Sequence, residues 1–209
     1  MKTASGLIAL TLLVAGAARA DPIGPEVTAG ARTPSTSIGI SLGLGGGVTN
    51  YVGTEMNDVT DVGGSYEVRA TIGTRLFVAG EAAYVGSRRG ITTPVSGASL
   101  GHIFSNGLEG ALRVQYPLYT GGWMIEPFAF GGLGWAHYGI DGAFTASTAS
   151  DDVLTVPFGA GISAAWNGLF LEGRFTYRPV YNEDLFVNAN GNAVSLNNWT
   201  AGALVGYEF

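Results

Sequence analysis

From Thr36 to Phe209 the apolar side chains recur at every second position, and this alternation constrains the fold more than any other feature of the chain. Successive side chains of a strand point to opposite faces, so period two describes extended chain with one apolar face and one of different character. The first run, Thr36 to Thr49, sets Ile38, Ile40, Leu42, Leu44 and Val48 against Gly39, Ser41, Gly43, Gly45 and Gly47. Each interior glycine costs a strand about 0.5–1 kcal/mol, so such a strand makes sense where one face lines a crowded, tightly curved barrel interior.

Seven further runs follow. Gly64 to Gly73 places Tyr66, Val68, Ala70 and Ile72 opposite Glu67 and Arg69, and Leu76 to Gly86 places Val78, Ala82 and Tyr84 opposite Phe77, Ala79, Glu81 and Ala83. Ser105 to Tyr116 sets Leu108, Leu112, Val114 and Tyr116 against Glu109, Arg113 and Gln115. In Trp123 to Tyr138, Ile125, Ala129, Leu133 and Trp135 oppose Glu126, but Phe128 and Phe130 fall beside Glu126, which leaves the facing of this run open. Pro127 within it requires an irregular or unpaired position. Leu154 to Trp166 aligns Val156, Phe158, Ala160, Ile162, Ala164 and Trp166. Leu169 to Arg178 aligns Leu169, Leu171, Phe175 and Tyr177 opposite Glu172, Arg174 and Arg178. The last run, Leu196 to Phe209, aligns Trp199, Ala201, Ala203, Val205, Tyr207 and Phe209 opposite Asn198, Thr200 and Glu208. Each run reaches the roughly 9–11 residues that a tilted strand needs to cross a bilayer.

The links between runs alternate in length. Gly73 to Arg75, Pro117 to Gly122 and Asn167 to Gly168 are short, whereas Asn50 to Gly63, Ser87 to Phe104, Gly139 to Val153 and Pro179 to Ser195 are long. Short turns on one side and long loops on the other are the asymmetry of an outer-membrane barrel. The expected fold is therefore an all-β, eight-stranded, antiparallel up-and-down transmembrane β-barrel.

The N-terminus agrees with export. Residues 1–20 combine Lys2, an apolar run from Leu7 to Val14, and Ala18 and Ala20 around Arg19, the pattern of a secretory signal peptide cleaved before Asp21. Residues 21–35, with Pro22, Pro25 and Pro34, read as a polar leader, and residues 36–209 as the barrel. No later stretch is apolar for long enough to form a spanning helix.

Charge placement then separates a membrane barrel from a soluble one. Charged residues make up 12% of the chain, half the roughly 25% usual for soluble domains, and glycine is abundant at 34 residues. Glu67, Arg69, Glu81, Glu109, Arg113, Glu126, Glu172, Arg174 and Glu208 fall opposite the clearer apolar series and are candidate interior charges. A soluble barrel would reverse this, with charges outside and an apolar ligand cavity within. Buried ions must be paired or hydrated, and the excess of glutamates over arginines in this set calls for interior water or protonated carboxyls. Tyr66, Tyr84, Tyr116, Trp123, Trp166, Tyr177, Trp199, Tyr207 and Phe209 cluster towards strand ends, as interfacial aromatic girdles do.

The segment from Thr36 to Phe209 resembles the eight-stranded outer-membrane barrel domains of Gram-negative bacteria, the broad group of OmpA-type, opacity-type and OmpX-like barrels. The final TAGALVGYEF, with Tyr207 and terminal Phe209, resembles the signal read by the outer-membrane assembly machinery; PFAFGGLGWAHY and LEGRFTYRPVY resemble strands of the group more loosely. The resemblance implies an outer-membrane location with periplasmic termini and extracellular loops. It also implies lipid, lipopolysaccharide and the assembly machinery as partners.

Catalytic chemistry is weakly supported. GHIFSNG superficially resembles the His-x-Ser-Asn element of lipid A deacylase barrels, but His102 and Ser105 are three apart and would face opposite sides of a strand. The absence of cysteine removes thiolate chemistry and disulfides. The pairs Asp151–Asp152 and Glu183–Asp184 are acidic loop residues of the kind that are usually just solvated. No catalytic, metal or cofactor site is expected, and the formal net charge of -6 argues against nucleic acid. Arg88 and Arg89 are candidate contacts for lipopolysaccharide phosphates. The functional expectation is a monomeric structural, envelope-integrity or surface-interaction barrel, with a narrow channel for ions or very small solutes as the alternative. An adhesin using AFTASTAS and NANGNAV, or a lipid A modifying enzyme, ranks behind both.

Overall fold

The computed structural model describes residues 38–92, 99–142, 150–182 and 194–209. The expected signal peptide and leader, most of AFTASTAS and NANGNAV, and Glu183–Asp184 lie outside these. The strands are β1 (Ile40–Tyr51), β2 (Gly63–Ile72), β3 (Val78–Thr92), β4 (Ser99–Gln115), β5 (Leu118–Thr120), β6 (Trp123–Gly142), β7 (Ser150–Thr155), β8 (Phe158–Trp166), β9 (Leu169–Arg178), β10 (Val180–Tyr181) and β11 (Asn198–Glu208). A short helix, α1 (Thr54–Asn57), follows β1. They form eight staves, because β7 continues into β8, β9 into β10, and β5 extends the β4 stave through its turn.

Every neighbouring pair is antiparallel, and β1 closes the ring by pairing with both β2 and β11. A circuit from Leu42 passes through Ala70, Ala82, Gly110 and Leu133. It continues across the Val156 N–H to Pro179 carbonyl bond and returns through the Asn197 carbonyl, which accepts from Val52 N–H at 2.9 Å. Leaving β1 at Leu42 and rejoining it at Val52 means that the strands are staggered and steeply tilted, as closure of a small barrel requires. The glycines of β1 serve this closure. A Cβ on Gly45 or Gly47 would stand 2.2 Å from the carbonyl oxygen of Ala203 or Ala201 on β11.

The β8–β9 hairpin turns at Asn167–Gly168, both with positive φ, the two-residue connection whose twist matches paired strands. At the same end β5 pairs with the start of β6, so the short link after β4 narrows to Gly121–Gly122.

The outward wall is apolar between two aromatic belts. At the turn end Phe77 meets Tyr116 (5.9 Å between centroids), Trp123 stacks on Trp166 (6.1 Å) and Tyr207 meets Phe209 (5.3 Å). Towards the loop end Tyr66 and Tyr84, Phe158 and Tyr177, and Phe175 and Trp199 form the second belt. Leu44, Val68, Leu112, Leu133, Ile162, Leu171 and Val205 are exposed between them. Phe77, expected on the inner face, instead lies in the turn before β3 and joins the outer belt, because the strand begins at Val78 rather than at Leu76. Conversely, Phe128 and Phe130 are buried inside, which fixes the facing of β6 as Leu133 and Trp135 outward.

Beyond the second belt the structure departs from expectation. Residues 87–104, read as one long link, are largely strand: β3 runs on to Thr92 and β4 starts at Ser99. β6 likewise continues to Gly142, and β7 begins at Ser150. In this projecting rim the polarity of the two faces inverts. Ile91, Ile103, Tyr138, Val153 and Val180 turn inward and pack with Tyr51, Leu196 and Met56 of α1 into one dry cluster. Arg88 and Asp152 turn outward into solvent, with half-exposed His137 beside Asp152. A wall facing water needs a polar exterior and an apolar core, the reverse of a wall facing lipid. α1 is held over the rim by the Thr60 hydroxyl, which donates to the Met56 carbonyl at 2.6 Å, while Thr60 bridges to Ile91.

Candidate functional site

Among the described residues the charged side chains converge in the lumen, and alternation delivers them there from six of the eight staves, all but β1 and β7–β8. Near the turn end Glu81 accepts from Arg69 (2.7 Å), from Arg174 (2.7 and 3.0 Å) and, more distantly, from Arg113 (3.4 Å). Glu172 accepts from Arg113 at 2.6 Å and Arg174 at 2.9 Å, Glu126 accepts from Arg113, and Glu67 accepts from Arg69 at 2.8 Å. The two phenylalanines of β6 brace this network: the Arg113 guanidinium lies 3.6 Å from the Phe128 ring centre and that of Arg174 lies 4.1 Å from Phe130. Cation–π contacts gain strength when desolvated, so the rings both fill the bore and hold the cations in place.

Above this layer Glu109 accepts from Arg178 Nε at 2.5 Å and Nη2 at 3.3 Å, and Arg178 also donates to Thr200. At the turn-end mouth Arg75 Nε donates to Glu208 at 2.6 Å. Two cavities lie among the described side chains of the bore. One, about 50 Å³, is lined by Thr49, Ser65, Ser87, Ser105, Glu109, Thr155, Arg178, Asn198 and Thr200. The other, about 30 Å³, lies among Ser41, Thr71, Thr74, Glu126, Ser163, Glu172 and Glu208. Both present polar groups and are roomy enough for water, and the buried Thr155 and Thr74 hydroxyls and Glu126 Oε2, which have no partner among the described residues, line them. The dry cluster of the rim closes the bore above the larger cavity.

All nine expected interior charges therefore lie in or at the mouth of the bore: Glu67, Arg69, Glu81, Glu109, Arg113, Glu126, Glu172, Arg174 and Glu208. The expected excess of glutamates does not hold. Arg75, Arg89 and Arg178 also point inward and balance it. Arg178 shares its parity with Glu172 and Arg174, so alternation alone carries it inside. The sequence pattern ends the third run at Gly86 and so makes Arg89 a candidate rim contact for lipopolysaccharide, which the structure corrects. It is instead 2% exposed, donates to Thr49 Oγ1 at 2.6 Å and stacks 4.1 Å over Tyr51. Only Arg88 faces outward.

His102 and Ser105 occupy opposite faces of β4: Ser105 points inward and shares a 2.8 Å hydrogen bond with Ser87, while His102 stands across from Asp141 on the outer wall. They form no nucleophile–base pair. His137 is held by Asp152 at 2.8 Å. No group of three metal-ligating side chains occurs among the described residues. Tyr207 and Phe209 project outward at the closing strand, where Phe209 N–H donates to the Ile40 carbonyl at 2.8 Å.

No family model matches the chain, and no curated protein does. Among solved structures it is similar to Neisserial surface protein A, at 10% identity and a TM-score of 0.53, over 82% of this chain and 97% of that one. Its fold is the eight-stranded antiparallel membrane barrel. The barrel is also similar to the N-terminal β-barrel domain of Pseudomonas aeruginosa OprF, at 15% identity and a TM-score of 0.47 over 81% of this chain and 97% of that one. A third similar structure is Ail, the attachment invasion locus protein of Yersinia pestis, at 15% identity and 0.41 over 82% and 97%. At such identities the likeness concerns the barrel's fold alone.

Proposed function

We propose that this barrel sits in the outer membrane of a Gram-negative bacterium, with termini and short turns periplasmic and the rim outside, and serves as a closed structural and surface-presenting scaffold. The observation that carries the reading is the filled bore. An ion network braced by Phe128 and Phe130 crosses one half, and the dry cluster around Leu196 stops the other. An eight-stranded barrel has an interior just wide enough for side chains to fill, and here they fill it. The rim cluster supports the surface role, because it makes the loop bases a folded platform. A ring closed within one chain leaves no strand edge to pair, which supports a monomer. The exposed Tyr207 and Phe209 on the closing strand support their reading as the assembly signal.

Planar-bilayer recording tests the proposal. The purified barrel is expected to insert, to run at different apparent sizes on gels before and after heating, and to remain electrically silent across salt concentrations. Reproducible openings altered by Glu109→Gln or Arg113→Gln would replace the scaffold with the narrow-channel alternative.

A further inference from the structure

We propose that the outer wall carries a site for the phosphate of an anionic outer-leaflet lipid, formed by Arg88 and Asn106 directly above the Tyr66–Tyr84 pair; this rests on the outer-membrane reading above. Every other arginine in the described residues turns into the bore or its mouth and is engaged there. Arg88 is exposed on the outside and has no hydrogen-bond or ion-pair partner among the described residues. The chain after Arg19 contains no lysine, so Arg88 is the one permanent cation that the described strands present to the surroundings.

Its neighbours make a built surface. Tyr66, Gly86 and Asn106 lie in one row across β2, β3 and β4. The Tyr66 ring crosses directly over Gly86, where a Cβ would fall 2.2 Å from its Cζ, and reaches Asn106. Its hydroxyl and that of Tyr84, at 3.0 Å, both donate to Asn106 Oδ1. Two phenols on one carbonyl oxygen fix the amide and turn its Nδ2 hydrogens away from the rings, where they have no partner among the described residues. Arg88 stands two residues beyond Gly86 on β3, diagonal to Asn106, a spacing of roughly 7–8 Å between backbones that long side chains bridge.

Guanidinium and amide thus flank a patch immediately above aromatic residues of the belt, where lipid phosphates lie and tyrosine rings sit at headgroup level. Nearby acids do not fill it. Asp152 is engaged by His137 across from Asn106, and Asp61, near Gly90, forms no ion pair with Arg88. Arginine binds phosphate through a planar fork of donors, while the acyl chains of the same molecule would lie against the apolar wall below.

Native mass spectrometry of the full-length barrel, delipidated and re-equilibrated with lipid A or dephosphorylated lipid A in neutral detergent, tests this. Wild type is expected to retain lipid A over the dephosphorylated form. Arg88→Gln should lower retention roughly tenfold, and Arg88→Lys should fall between them because it keeps charge without the fork. Asn106→Ala should reduce retention while heat-modifiable folding is unchanged. Equal retention by wild type and Arg88→Gln would overturn the site, and displacement by millimolar inorganic phosphate would overturn a lipid as its occupant. Failure of the barrel to insert into any bilayer would instead overturn the membrane reading itself.

Discussion

Glu81 and Glu109 offer an unequal test of how the lumen is held together. Glu81 accepts four hydrogen bonds from three arginines, whereas Glu109 accepts two from Arg178 alone. By bond count, Glu81→Gln should do more harm. Charge bookkeeping gives the opposite order. The turn-end network sets Glu67, Glu81, Glu126 and Glu172 against Arg69, Arg113 and Arg174, one carboxylate more than it has guanidiniums. Removing the charge of Glu81 leaves each arginine another carboxylate: Glu67 for Arg69, Glu126 and Glu172 for Arg113, and Glu172 for Arg174. The expected loss is that of charge-assisted hydrogen bonds partly replaced by the amide oxygen, about 1–3 kcal/mol. Glu109→Gln leaves Arg178 buried with a threonine hydroxyl and no carboxylate, and breaking a buried pair in this way costs about 3–5 kcal/mol. The adjoining cavity, large enough to admit water to Arg178, places the expectation at the lower end of that range. Reversible urea unfolding in lipid vesicles, followed by tryptophan fluorescence and by heat-modifiability on gels, measures both. Destabilisation by Glu81→Gln equal to or greater than that by Glu109→Gln would refute the argument from charge balance.

Leu196 is fully buried in the rim cluster, so Leu196→Ala should lower stability by about 2–5 kcal/mol; an unchanged urea midpoint would show that the cluster contributes nothing to stability. Gly47→Ala puts a Cβ 2.2 Å from the Ala201 carbonyl oxygen at the closing seam and should abolish heat-modifiable folding, while Gly173→Ala, with no atom within 4 Å of the added carbon, should fold normally. If the exposed Phe209 ring is the assembly signal proposed above, deleting Phe209 should leave refolding in detergent intact but sharply reduce surface-accessible barrel in cells.

The alternation in the chain carried most of this architecture because it reflects one physical requirement, lipid outside and a narrow polar bore inside. It gave the order and direction of the staves and the inward set from Glu67 to Glu208. It also contained the answer for Arg178, whose spacing from Arg174 puts both on one face of β9. Phe128 and Phe130 misled because apolar residues inside a polar bore look like an error of phase. Stacked under guanidiniums, they are the filling that arginine planes require. Pairing across strands, such as Arg113 with Glu172, depends on stagger around the ring, which no single segment encodes.

The strand ends were illegible for a different reason. Up to the second belt an apolar residue points out, and a rule built on that correspondence stops seeing strand where the correspondence fails. In Ser87, Arg88, Arg89, Gly90 and Ile91 the period of two persists, but above the lipid the meaning of each face is exchanged: Ile91 goes in and Arg88 goes out. Arg89 follows its parity inward although it is charged, and stacking on Tyr51 with a bond to Thr49 makes that position tolerable. Two adjacent arginines of identical chemistry thus stand on opposite sides of one wall, one bracing the plug and the other free to meet an anion. Parity along the strand separates their roles, and the level of the aromatic belt tells which solvent each parity faces.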